Sequence, residues 1–239
     1  MAFAELRLGC LLFTAIALAG CSAEPESPTQ TDRATTRVDK DAEREEANTL
    51  IVAMGDSLTE GLNVDPDLAY PARLERRLRN EGYDVRVINA GILGETSSGA
   101  LARVEWVLKL KPSIVILETG GNDGLRGVDP QVTAENVDQL VSRFRKENVK
   151  VVLAGMQIVA NMGQQYVEEF RTIYPSVAAS HGIPLIPFFL EGVAANPNLN
   201  QPDGIHPTAE GYSIVLETVL PHVLHALRDG TGNTSGDSR

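Results

Sequence analysis

Thiols are nearly missing from this chain. There are two cysteines among 239 residues, Cys10 and Cys21, and none beyond position 21. A cysteine–histidine catalytic pair, a cysteine-based zinc site and an internal disulfide are therefore excluded from the body of the protein. Histidine is scarce as well, with four residues: His181, His206, His222 and His225. Basic residues number 21 against 32 acidic ones, a formal net charge of −11. That balance disfavours a nucleic-acid partner and a purely electrostatic hold on anionic membranes. The one long apolar run, Leu8 to Ala19, is too short to span a bilayer comfortably. The chain has no Gly-rich phosphate loop of Walker type, no His-Glu-x-x-His helix and no Gly-x-Ser-x-Gly elbow.

What remains is an ordinary globular composition, 43% hydrophobic and 22% charged, of a length that predicts one domain with extensions. Residues 1–20 read as a targeting segment: Arg7 supplies a basic start and an apolar stretch follows. It ends Leu18-Ala19-Gly20-Cys21, which resembles the lipobox of bacterial lipoproteins. That resemblance implies a lipidated Cys21 as first mature residue, and Ser22 after it implies sorting to the outer membrane, facing the periplasm. Ordinary signal-peptidase cleavage after Ala17-Leu18-Ala19 is the alternative. Residues 21–48 then form a polar tether with too little apolar surface to order itself. Residues 229–239 form a Gly/Ser/Asp-rich tail.

Between residues 49 and 228 the pattern alternates. Leu50–Met54, Ile114–Leu117 and Val151–Ala154 are continuous apolar runs, Val85–Ile88 is a softer one, and Pro184–Ile186 a short one. Continuous apolarity predicts strands covered on both faces, as in a parallel sheet. Helical spacing lies between them. Tyr70, Leu74 and Leu78 form one series, with Pro71 in the first turn. Leu101, Val104 and Leu108 form a second. Asp129-Pro130 is an N-cap and N1 pair before Val137, Leu140, Val141 and Phe144. A last helix from about Ala209 turns Val215, Val219, Val223 and Leu227 inward, and Pro221 predicts a kink or a split. Strands alternating with helices give a three-layer α/β/α sandwich around a central parallel sheet.

Four separated segments carry chemistry: Gly55-Asp56-Ser57-Leu58-Thr59, Gly94 after Asn89-Ala90, Gly120-Gly121-Asn122-Asp123, and Asp203-Gly204-Ile205-His206-Pro207. Three of them follow predicted strands, and in open α/β sheets the ligand crevice lies at the carboxyl ends of the strands. Acyl transfer needs a nucleophile, a base, a group that orients the base, and oxyanion donors. Ser57, His206 and Asp203 fit the first three. The backbone N–H groups of Ser57 and Gly94 and the side chain of Asn122 fit the last, with Gly91 competing for Gly94's place. Asp56 reads as a turn residue that binds nearby amides. His222 and His225 lie three apart on the last helix with no carboxylate cluster, and read as helix-face residues rather than a metal pair.

Taken singly, a Ser after a strand is most often an N-cap, and an Asn among glycines a turn residue. Together, and in this order, these segments resemble the GDSL, or SGNH, hydrolase superfamily over residues 50–225. The likeness is strongest to the bacterial periplasmic subgroup that hydrolyses thioesters, aryl esters and lysophospholipids, on the stretches Glu118 to Gly127 and Ile186 to Val193. The resemblance implies a flavodoxin-like fold. It implies a cofactor-free and metal-free serine hydrolase with an acyl-serine intermediate, acting as a monomer on small esters, thioesters or lysophospholipids. The alternatives are a carbohydrate O-acetylesterase of the same superfamily and a non-catalytic envelope-tethered binding module.

Some residues depart from the subgroup's pattern. Leu93 and Glu95 replace a small polar residue and Asp, which predicts an altered mouth. Gln157 to Gly163 and Asn200-Gln201-Pro202 also differ, so acyl-length preference does not carry over. Gly124, Leu125, Arg126 and Gly127 predict a small mobile substrate loop.

Overall fold

The structure, a computed structural model, describes residues 48–229. The targeting segment 1–20, Cys21, the tether up to residue 47 and the tail from residue 230 lie outside the described residues.

In chain order the elements are β1 (Thr49–Gly55), α1 (Ser57–Glu60), α2 (Tyr70–Asn80), β2 (Val85–Gly91), α3 (Ser97–Ala102), α4 (Val104–Lys109), β3 (Ile114–Glu118), α5 (Gly121–Arg126), α6 (Pro130–Lys146), β4 (Lys150–Ala154), α7 (Gln164–His181), β5 (Leu185–Ile186) and α8 (Ala209–Arg228). Two short 3₁₀ turns, Pro66–Leu68 and Ala160–Met162, interrupt the connections. Among the described residues all four strand pairings are parallel, in the order β2-β1-β3-β4-β5. This is the doubly wound order of flavodoxin-like sheets.

The apolar runs that predict strands are the buried centre. Ile51, Val52, Ala53 and Met54 of β1, Ile114 to Leu117 of β3 and Val151 to Ala154 of β4 are all buried. Each such Val, Leu or Ile side chain removed from water contributes roughly 1.5–3 kcal/mol. Helices α2 and α8 pack together, as do α6 with α3 and α7. The edge ring of Tyr70 meets Phe189 with centroids 5.3 Å apart, tying the start of α2 to the segment after β5.

Two expectations need correction, and for Pro221 one of the two expected outcomes is removed. The series Leu101, Val104, Leu108 is not one helix, because the chain breaks at Arg103 between α3 and α4. Pro221 does not split α8, which runs from Ala209 to Arg228. Gly124, Leu125 and Arg126 do not form an open loop. They complete α5, which Gly127 ends in the left-handed conformation at φ 66°. Gly124 is buried there, and a Cβ on it would stand 2.2 Å from Ile158 Cγ2, so the backbone of α5 lies directly on that side chain.

The strand order reverses between β1 and β3. The connections leaving their carboxyl ends therefore run to opposite sides and leave a crevice between them, the usual ligand position in such sheets.

Candidate active site

Ser57 is the first residue of α1, immediately after β1. Asp56 caps that helix, and its Oδ1 accepts from Leu58 N at 2.9 Å. Tyr212 on α8 donates its hydroxyl to the Leu58 carbonyl at 2.9 Å, which pins the same turn from below. Ser57 is buried apart from the side that faces the cleft.

Asp203 and His206 come from the loop before α8. Gln201 N donates to His206 O at 2.7 Å and Gly204 N to Gln201 O at 2.9 Å, so the loop closes on itself. Gln201 Nε2 donates to Leu62 O at 2.7 Å, fastening this loop to the segment after α1. His206 Nε2 then lies 2.8 Å from Ser57 Oγ, and its Nδ1 lies 2.7 Å from Asp203 Oδ2. The other oxygen, Asp203 Oδ1, accepts from the backbone N–H groups of Ile205 and His206 at 2.9 and 3.0 Å. Partial burial alone would push the Asp203 carboxyl up. Those two N–H groups and the imidazole outweigh it and bring the group down to about 2. Asp203 thus stays ionised wherever an imidazole can lose its proton.

Gly94 sits in a turn closed by Glu95 N to Ile92 O at 3.1 Å, and its φ of +70° is one that glycine adopts freely. Asn122 is on the first turn of α5. Its Nδ2 donates to Asp56 Oδ2 at 2.9 Å and to Glu95 O at 3.0 Å. Ser57, Gly94, Asn122 and His206 all line one cleft of about 400 Å³. Its walls are mainly apolar, with Leu58, Met156, Ile158, Phe188 and Leu190 among them. The tertiary structure therefore brings together all five sequence-predicted residues. Of the predicted substrate-loop residues, Leu125 lines the cleft and is exposed, while Arg126 reaches across to donate to Gly94 O at 2.9 Å.

Asp56 does more than bind a turn amide. Its backbone N–H donates to Glu118 Oε2 at 3.1 Å and Thr59 Oγ1 donates to the same oxygen at 2.9 Å, so the two carboxyls lie beside one another. Burial raises both above the usual carboxylate range, and the Asp56 charge raises Glu118 further. Of the two, Glu118 is raised further, because its burial is complete and the Asp56 charge stands beside it, while donors from Leu58 N and Asn122 stabilise the Asp56 anion. Glu118 has a sequence signal only in hindsight, as a lone acid closing an otherwise apolar strand.

Glu95 does not alter the mouth. Its side chain turns inward to Arg103 at 2.6 Å, whereas Leu93, at 58% exposure, does line the cleft. Nearby, Asp123 is buried and accepts from Ser97 N at 2.8 Å, which joins α5 to the start of α3. The remaining histidines are engaged elsewhere. His181 pairs with Asp138 at 2.7 Å and His225 with Asp229 at 3.3 Å. His222 is half-buried on α8, and burial together with the neighbouring His225 holds its imidazole below the ordinary range.

Comparison with known proteins gives consistent matches. The model of the GDSL-like lipase/acylhydrolase family matches residues 53–214. The chain is 44% identical to esterase TesA of Pseudomonas aeruginosa over 176 residues, covering 73% of this chain and 87% of that protein. It is 38% identical to thioesterase 1/protease 1/lysophospholipase L1 of Escherichia coli over 172 residues, covering 72% and 81%. A crystal structure of TesA superposes with a TM-score of 0.72 at 41% identity, over 74% of this chain and 99% of that one.

Proposed function

The chain belongs to the GDSL-like lipase/acylhydrolase family and is an ester and thioester hydrolase; we propose that it works through an acyl-serine formed on Ser57. The observation that carries this mechanism is the continuous line Ser57 Oγ–His206 Nε2–His206 Nδ1–Asp203 Oδ2, with links of 2.8 and 2.7 Å.

His206 Nε2 takes the Ser57 proton as Oγ attacks the substrate carbonyl. Asp203 fixes the tautomer by accepting from Nδ1–H and stabilises the imidazolium that forms. The oxygen of the tetrahedral intermediate lies against the N–H groups of Ser57 and Gly94 and the Asn122 amide. Asn122 shares with it the hydrogen now given to Glu95 O, the weaker of its two acceptors, and keeps its bond to the Asp56 carboxylate. His206 then protonates the leaving alcohol or thiol. Water, deprotonated by the same nitrogen, attacks the acyl-serine and regenerates Ser57. The apolar walls take the acyl group. Because the donors recognise only the developing oxyanion, esters and thioesters are handled by the same groups. Lysophospholipids fit the same description, a single acyl ester with a large polar leaving group.

The decisive experiment is labelling with an organophosphonate followed by peptide mapping. The expected adduct is on Ser57, and Ser57→Ala removes both the adduct and turnover by at least about four orders of magnitude. An adduct on another residue, or an active Ser57→Ala protein, overturns the mechanism.

For location, we propose a lipid anchor on Cys21 that places residues 49–228 in the bacterial envelope, at the periplasmic face of the outer membrane. Support comes from the Leu18-Ala19-Gly20-Cys21 sequence. Among the described residues no helix is long and apolar enough to cross a membrane. Mass spectrometry of the mature N-terminus is the test, and an unmodified terminus would rule out the anchor.

A further inference from the structure

Arg103 lines no part of the cleft, yet three segments of the site converge on it. It stands at the break between α3 and α4, with its side chain only 14% exposed. Its Nε donates to Glu95 Oε1 at 2.6 Å and its Nη2 to Glu95 Oε2 at 2.6 Å, a two-pronged ion pair. The same Nη2 donates to Ala90 O at 2.8 Å and lies 3.3 Å from Gly55 O. One guanidinium therefore joins the end of β1, one residue before Asp56 and two before Ser57, to the end of β2 and to the turn that carries Gly94. On the other side of Glu95, the backbone carbonyl accepts from Asn122 Nδ2. The path from Arg103 to Asn122 passes through a single residue.

Apart from this fork, the Gly94 turn is held mainly by backbone bonds at its base, Ile92 N to Gly55 O at 2.9 Å and Glu95 N to Ile92 O at 3.1 Å. Ile92 and Leu93 are 47% and 58% exposed, so apolar packing does not fix them. Gly94 itself adds conformational freedom. The hydrogen bond from Arg126 to Gly94 O is on the exposed side. Oxyanion donors stabilise a transition state only when they are already in place. A displacement of about 1 Å can cost about two orders of magnitude in rate. A guanidinium fork matches a carboxylate in a fixed plane, while a lysine ammonium is a point charge on a flexible stem.

We propose, on the basis that Gly94 and Asn122 are the oxyanion donors, that Arg103 is the positioning residue for both. Through Glu95 it fixes the carbonyl that orients the Asn122 amide and the turn that presents the Gly94 N–H. Its charge is neutralised by Glu95, so its effect reaches the reaction through geometry rather than through its own field.

The test is a double-mutant cycle on the full-length protein with an aryl ester, using Arg103→Lys, Asn122→Ala and the double variant. Arg103→Lys is expected to lower kcat about 10- to 100-fold with KM within about threefold. In the Asn122→Ala background the same substitution is expected to cost at most about a third of that factor, because one of the donors it positions is already gone. A purely structural role lowers the melting temperature and gives the same cost in both backgrounds, which would overturn the proposal. Wild-type kcat in Arg103→Lys beside an impaired Asn122→Ala also overturns it and leaves the donor assignment standing. Unchanged kcat in Asn122→Ala removes the donor assignment itself. If Arg103→Lys gives no cooperative melt, Glu95→Gln takes its place in the cycle. It retains the chain length and one acceptor, and the same non-additivity decides.

Discussion

Asp56 Oδ2 accepts the Asn122 amide at 2.9 Å, so the residue beside Ser57 aims the side chain proposed as an oxyanion donor. A carboxylate acceptor makes this bond roughly twice as strong as a neutral one. The proposed nucleophile and amide donor are thereby placed by adjacent residues of one turn, although 65 positions separate Ser57 from Asn122 in the chain.

Asn122→Ala should lower kcat about 100- to 1,000-fold with little change in KM, since the amide matters most once negative charge has developed. Asp56→Asn keeps the shape but weakens the acceptor, and a fall of about tenfold in kcat is expected. Steady-state kinetics on one aryl ester suffice. A rise in KM alone, with kcat intact, would assign both residues to substrate binding instead.

Asp203 predicts a pH effect of defined sign. Its carboxyl is lowered to about 2 in the folded protein. A depressed acid contributes stability above its unfolded pKa, and that contribution is lost as pH falls through the folded value. The melting temperature of wild type should therefore exceed that of Asp203→Asn at pH 5, with the gap closing as pH approaches 2. Turnover of Asp203→Asn should drop by up to about four orders of magnitude, because the imidazole loses its tautomer control. A gap in melting temperature that widens toward pH 2 contradicts the assignment.

Glu118 predicts the opposite sign. Burial and the Asp56 charge raise it well above the usual carboxylate range. The folded state holds its proton more tightly than the unfolded chain does, so this group's contribution is present in acid and is lost as pH rises. Glu118→Gln imitates the protonated form. It should keep most activity at neutral pH and gain stability relative to wild type as the pH is raised. Thermal melts of both proteins from pH 4 upward test this, and parallel curves would place the proton elsewhere.

The cleft of about 400 Å³ and its apolar walls predict acyl groups of short and medium length. Each methylene contributes only about 1–3 kcal/mol to discrimination, so the preference should be graded rather than absolute. Aryl esters should be fastest, because their leaving groups need little protonation by His206. An aryl-ester series from acetyl to long-chain acyl, together with acyl thioesters, reads this directly. Turnover confined to acetyl groups on sugars would point to a carbohydrate deacetylase. Gly124→Ala should raise KM across the series, since its Cβ would meet Ile158 at 2.2 Å and displace part of the wall.

The sequence by itself determined the layers and named the candidate reacting groups that the structure brings together. Apolar runs of only four or five residues, too short for a buried helix, fit strands covered on both faces, so Ile51–Met54, Ile114–Leu117 and Val151–Ala154 marked the parallel sheet. Ser57, Asp203 and His206 were legible because acyl transfer demands particular side chains, and histidine is scarce enough here to leave few choices. Their contacts were not legible. The 2.8 Å approach of His206 to Ser57 spans 149 positions and depends on Gln201 holding the loop before α8. Nor did local pattern reveal the buried Asp56–Glu118 pair, the inward turn of Glu95, or Arg103 at a helix break. Periodicity reports which face of an element meets the core. Which polar group a buried carboxylate or guanidinium finds is decided by the chain segments that the tertiary fold brings beside it.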